Sequence, residues 1–168
     1  MKKEELEAKW RETIVGLDCE FGKKYSFDQD GVAKAINDID ELKGECEEYC
    51  NSLTAPLSLD RIKACEKAIE ELKNIDFNIC KQLALSKVEV TLTKAECEDS
   101  IYDKENLNGL NDDDEVEIDL TNYDYDYIVA NDLFAVHKLS EAFEDEVADF
   151  VSNAIFYLKD VLKTFNKQ

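Results

Sequence analysis

Six cysteines, one histidine and forty carboxylates are the side chains here most suited to ligating a metal, attacking a carbon or carrying a proton near neutral pH. Cys46 and Cys50 stand four apart and share a helix face, but there is no CxxC, and zinc normally takes four ligands including a close pair. With no secretory leader in MKKEELEAKWRETIVGL, these two and Cys19, Cys65, Cys80 and Cys97 read as reduced, mostly buried thiols. His137 lies beside the apolar face of a helix and reads as a packing residue. The stretch DQDG is like part of a calcium loop. With Gly31 at its sixth position, however, Ser26 and Asn37 fall at the first and twelfth, and the closing bidentate carboxylate is missing. Centring the loop on Gly109 brings Glu115 to the twelfth place but Lys104 to the first. No GxGxxG, Walker loop, HExxH or GxSxG occurs. A carboxylate pair for glycoside chemistry could be picked almost anywhere among forty acids, so no pair is informative. We expect no enzyme, no cofactor and no metal site.

The carboxylates matter more as a field than as individual groups. Against 20 Lys and Arg they leave 168 residues with a formal charge of -20 and a pI near 4.3. Phosphates and anionic membrane surfaces would be repelled, whereas a basic protein would be attracted. The excess is uneven: residues 28–55 carry -6, and the 39 residues 94–132 carry -12. No segment nears the roughly 18 apolar residues of a membrane-spanning helix, so a cytoplasmic protein is expected, in the host cytoplasm if phage-encoded.

Periodicity says which elements hold these acids. Leu6, Trp10, Ile14 and Leu17 mark a first helix from Lys3 to about Val15, ended by Gly16 and Asp18. Cys19–Phe27 reads as a short strand or ordered loop. Asp28 or Asp30 caps a second helix with Val32, Ile36, Ile39, Leu42, Cys46, Tyr49 and Leu53 inside. Pro56 breaks it, and Ser58, with Leu57 as staple, starts a third helix through Ile62, Cys65, Ile69 and Leu72. The second and third form an antiparallel hairpin. Beyond Lys87 the period falls to two at Val88, Val90 and Leu92. Ala95–Tyr102 could make a short helix. Val116, Ile118 and Leu120, then Tyr123, Tyr125, Tyr127 and Val129, alternate around Thr121-Asn122, which predicts a hairpin over 115–129 with the tyrosines inward as core, the alternative being outward as anchors of a protein interface. The last 36 residues read as a long helix capped by Asn131 or Asp132, either continuous or broken near Ser152-Asn153. The expected fold is α+β: a helical hairpin and a long C-terminal helix packed with a small antiparallel sheet of about three strands. Residues 1–168 are expected to form a single domain with an acidic, sheet-containing insert at about 88–130.

On that fold the acids fall into rows. Glu115, Glu117 and Asp119 share one strand face about 6.8 Å apart, a spacing comparable with successive phosphates of a nucleic-acid strand. Asp124 and Asp126 form a second row, with Asp112, Asp113 and Asp114 at the entry. Asp38, Glu41, Glu45 and Glu48 make a stripe on the second helix. Like charges so close weaken helix and sheet. These twelve acids are the expected partner-binding residues. The expected function is an acidic decoy that fills the cationic channel of a nuclease, restriction or CRISPR effector. In composition and size the chain resembles the acidic nucleic-acid mimics with which phages block restriction or CRISPR machinery, and bacterial immunity proteins against nuclease toxins; no motif carries that resemblance. The alternative is an interaction or structural module, a homodimer through its C-terminal helix, whose acids give only solubility.

Overall fold

Apolar side chains three and four residues apart draw most of this chain into helices, and the departures from that spacing mark its turns. The computed structural model describes residues 3–18, 21–52, 57–98, 109–133 and 136–167. The chain divides into two compact units, residues 1–77 with 147–168, and residues 78–146.

In the first unit, helix α1 (Lys3–Asp18) buries Leu6, Trp10, Ile14 and Leu17. It runs on through Gly16 instead of stopping near Val15, because Leu17 continues the same buried face. Where a short strand or loop was expected, Phe21–Lys24 forms a helical turn, α2. The Tyr25 amide donates to Phe21 O at 2.8 Å, and the Phe21 ring lies 5.1 Å from that of Tyr25 and 5.0 Å from that of Phe27. Clustering of the three rings replaces strand alternation. Helix α3 (Gln29–Ser52) is capped by Asp28, whose Oδ1 accepts from the Gly31 amide at 2.8 Å and from Ser26 Oγ at 2.7 Å. Gly31 is required there, since a Cβ would stand 2.0 Å from the Ser26 carbonyl oxygen.

Helix α4 (Leu57–Lys73) completes the expected helical hairpin. Ala35, Ile39, Leu42 and Cys46 of α3 and Ala64, Cys65, Ala68 and Leu72 of α4 are buried, and Lys43 reaches Glu66 across the pair at 3.4 Å. Pro56 and the side chains of Cys50, Leu53, Leu57 and Ser58 lie outside the described residues, as do Cys19 and residues 99–108. Helix α5 (Phe77–Lys87) follows a turn at Asn74–Asp76, in a stretch to which the sequence reading assigned no element.

In the second unit, strands β1 (Val90–Thr93) and β2 (Glu115–Ile118) pair antiparallel, with Val90 opposite Ile118 and Leu92 opposite Val116. A short helix, α6 (Lys94–Glu98), leaves β1 through a capping box: the Glu96 amide donates to Thr93 Oγ1 at 3.3 Å, and Glu96 Oε1 accepts from Thr93. The described sheet has two strands, not three. Asp119 is the reason. Its Oδ1 accepts from the Thr121 amide at 3.0 Å and from Thr121 Oγ1 at 2.6 Å, winding Leu120–Asn122 into a 3-10 turn instead of a hairpin loop. The next residues form helix α7 (Tyr125–Ala130), which buries Tyr125 and Ile128, three apart. Tyr123 is half-buried and Tyr127 is 44% exposed, so only Tyr125 of the three tyrosines is core. Leu85, Val90, Cys97, Ile118, Leu120 and Leu139 surround it.

Helix α8 (Val136–Asp160) is continuous through Ser152-Asn153 and gives its first half to the second unit and the rest to the first. Asn131 closes α7 rather than opening α8, donating from its amide to Tyr127 O at 3.1 Å. Beyond Asp160 the chain tightens into a 3-10 segment, Leu162–Lys167. Trp10 Nε1 donates to Leu158 O at 2.7 Å, in the last turn of α8, where helix carbonyls begin to run out of regular partners.

Candidate partner-binding surface

The β1/β2 register sets which side of the sheet faces water. Val90, Leu92, Val116 and Ile118 turn toward the core of the second unit. Glu115 and Glu117 stand opposite Thr93 and Thr91 on the other face, and both carboxylates are exposed. Asp119 extends the row one step past the strand. Hydrogen bonds from the Thr121 hydroxyl and amide hold its carboxyl below its ordinary value.

Glu89 is exposed just before β1, and the antiparallel register brings it near the β2 row. Glu89, Glu117, Asp119 and Ser86 line a groove of about 270 Å³ floored by Leu85, Val88, Val90, Ile118 and Leu120. The Asp112–Asp114 turn is tied to α6 by its backbone: the Lys94 amide donates to Asp114 O at 2.8 Å and the Ala95 amide to Asp112 O at 3.3 Å. Asp112 and Asp113 are exposed, while Asp114 is half-buried and accepts from the Asn111 amide at 2.9 Å.

The other expected rows are arranged differently. Asp124 and Asp126 are not on a strand beside β2. Asp124 precedes α7 and Asp126 lies in its first turn, where negative charge favours the helix dipole. Asp126 meets Lys81 of α5 at 2.9 Å. On α3, three of the four stripe acids serve the fold of the first unit. Asp38 accepts from the Tyr25 hydroxyl at 2.5 Å and lies 4.0 Å from Lys24. Glu41 lies 3.7 Å from Lys9, which donates to Glu45. That hydrogen bond, with the charges of Glu45 and Glu41, holds Lys9 above its ordinary pKa against the opposing cost of burial. Burial, followed by the bond to Asp38, raises the Tyr25 phenol. Glu48 is exposed.

The structure thus brings together Glu115, Glu117 and Asp119, beside the Asp112–Asp114 turn in sequence, and places Asp124 and Asp126 on α7 instead of a neighbouring strand. Sequence reading also missed two apolar side chains in this unit, Ile79 and Leu83 on α5, which are 56% and 41% exposed; Tyr127 of α7, for which an outward place was the alternative reading, and Val129 are 44% and 41% exposed. The i, i+4 pair on α5 was the available signal.

Other groups considered for chemistry are placed as follows. Cys46, Cys65, Cys80 and Cys97 are buried. Cys65 is raised by its hydrogen bond with Cys46 and then by burial. His137 is exposed, not packed as expected. Among the described residues no cluster of three His, Cys, Asp or Glu could hold a metal ion, and no helix is long and apolar enough to cross a membrane. Compared with protein-family models, curated proteins and solved structures, the chain matches none.

Proposed function

We propose that this protein is a non-enzymatic decoy. It binds a basic nucleic-acid-handling protein, such as a nuclease, restriction or CRISPR effector, in the cytoplasm, and occupies that partner's cationic channel. The observation that supports this most is the exposed row Glu115, Glu117 and Asp119, held on a strand whose alternate residue, Ile118, is buried and paired. A row fixed in this way loses little conformational freedom on binding, so more of its electrostatic attraction is expressed as affinity and association rate. Asp112 and Asp113 extend the negative field at the entry to the strand. The α3 stripe contributes less, because its acids are largely engaged within the fold.

The test compares the wild type with a Glu115→Gln/Glu117→Gln/Asp112→Asn/Asp113→Asn variant in capture from host lysate at low and high salt, with nucleic acid as competitor. The decoy reading expects a basic nuclease or effector that salt and nucleic acid release and that the variant binds at least about tenfold more weakly. Equal capture by the variant would overturn it.

The exposed Ile79, Leu83, Tyr127 and Val129 favour a second reading, an interaction module that docks through α5 and α7. Its binding would survive high salt and fail on Leu83→Lys.

A further inference from the structure

Among so many acids, several lysines stand beside one, and among the described residues Lys23, Lys34, Lys73 and Lys138 are exposed without such a partner. Lys9, Lys24, Lys43, Lys81, Lys87 and Lys159 each lie within 4.0 Å of a carboxylate. Lys63 and Lys67 are two described lysines with no such partner. One turn apart on α4, they line a cavity of about 320 Å³ in the first unit, together with Lys163 from the 3-10 segment after α8. Tyr157 forms another wall, with Lys67 Nζ 5.7 Å from its ring centre. Asp60 and Asp160 also line the cavity, but Asp160 already takes Lys163 at 3.5 Å. The Thr164 hydroxyl, which accepts from Arg61 Nε and donates to Val161 O, anchors the remaining wall and has no proton left for a ligand. With three lysines against two aspartates, the lining is net positive in a chain of charge -20.

We infer that this cavity is a binding site for a small phosphorylated molecule, held between the ammonium groups of Lys63, Lys67 and Lys163 with the Tyr157 hydroxyl as a further donor. Lysine ammonium groups are point charges with rotatable donors. They can approach a multiply charged tetrahedral anion from several sides. The volume sits at the lower end of small-ligand pockets, the size of a phosphorylated sugar or nucleoside monophosphate. The site is independent of the decoy reading: it uses none of the acids that reading relies on and lies in the other unit.

The experiment is an amide NMR titration of the full chain with pyrophosphate, AMP and citrate in about 0.15 M salt. Saturable shifts around Lys63, Lys67, Tyr157 and Lys163 are expected with pyrophosphate or AMP. A Lys63→Gln/Lys67→Gln variant should weaken that binding at least about tenfold while keeping the wild-type helical circular dichroism. AMP binding more tightly than pyrophosphate would identify an ester with an organic group against Tyr157; the reverse order would identify a polyphosphate. Citrate binding as tightly as either would overturn the phosphoryl assignment. Unsaturable shifts at every exposed lysine, or an unchanged double variant, would overturn the site.

Discussion

The guanidinium of Arg61 lies 3.7 Å from the centre of the Phe165 ring, with Arg61 fully buried and Phe165 1% exposed. Arg61 Nε also donates to Thr164 Oγ1 at 3.0 Å. A desolvated cation over an aromatic face gains about 2 kcal/mol, and a lysine ammonium cannot reproduce the planar stacking and the Nε bond together. Arg61→Lys should therefore lower unfolding stability by about 2 kcal/mol, read from the midpoint of urea unfolding. No shift in that midpoint would show that the stack contributes nothing.

Two glycines of α3 should respond in opposite directions. Gly31→Ala forces a Cβ to within 2.0 Å of the Ser26 carbonyl oxygen and 2.3 Å of its amide nitrogen, backbone atoms that cannot swing aside. A loss of about 3 kcal/mol is expected. Gly44→Ala meets nothing within 4 Å in the middle of the same helix and should gain about 0.5–1 kcal/mol. Thermal melting of both variants checks the pair.

Stability should fall at alkaline pH for a defined reason. Tyr25 and Lys9 are both raised above their ordinary values of 10.0 and 10.5. A group bound more tightly to its proton in the folded state stabilises fully below its unfolded pKa, and that contribution is lost as pH rises through the folded one. Denaturation midpoints should decline above about pH 10. Tyr25→Phe should be less stable at pH 7, having lost its bond to Asp38, yet show a shallower decline. An identical slope in wild type and variant would refute the assignment to Tyr25.

At the acid end Asp28 has the opposite sign. Hydrogen bonds from the Ser26 hydroxyl and the Gly31 amide lower its pKa from 3.8, so its contribution is present above that value and is lost as pH falls through the folded one. Asp28→Ala should cost about 1 kcal/mol at pH 7 through loss of the α3 cap, and the difference from wild type should shrink below about pH 3. Unfolding curves at pH 7 and at low pH measure both.

The exposed acidic row should be a stability cost that binding requires. Glu117→Thr places a strand-favouring residue opposite Thr91 and removes one charge from the row. A gain of about 0.5 kcal/mol in unfolding stability is expected, together with weaker capture of the basic partner. A gain in stability with undiminished capture would separate the row from binding.

Most of the helical framework and the charge distribution were already present in the sequence. Leu6, Trp10, Ile14 and Leu17 announce α1 by spacing, and the inner faces of α3 and α4 follow the same local rule, because a helix brings residues three and four apart onto one side. The outward turn of Glu115, Glu117 and Asp119 was legible for the corresponding reason in a strand. The fate of YDYDYIV was not. Strict alternation there argues for a strand, but Asp119 turns the chain at Thr121, and burial of Tyr125 and Ile128 against Leu85 and Leu139 rewards a helix instead. Alternation describes only neighbours in sequence; which residues find an apolar surface depends on elements far along the chain. The same holds for the α3 stripe, where Lys9 and Tyr25 engage acids that sequence alone left facing solvent, and for Lys63, Lys67 and Lys163, which meet around one cavity only because the end of α8 lies against α4. The sequence by itself determined the quantity of charge and the local face on which each acid sits. Tertiary structure decided which charges are neutralised and which remain exposed, because ion pairs and burial join residues whose separation along the chain carries no local signal.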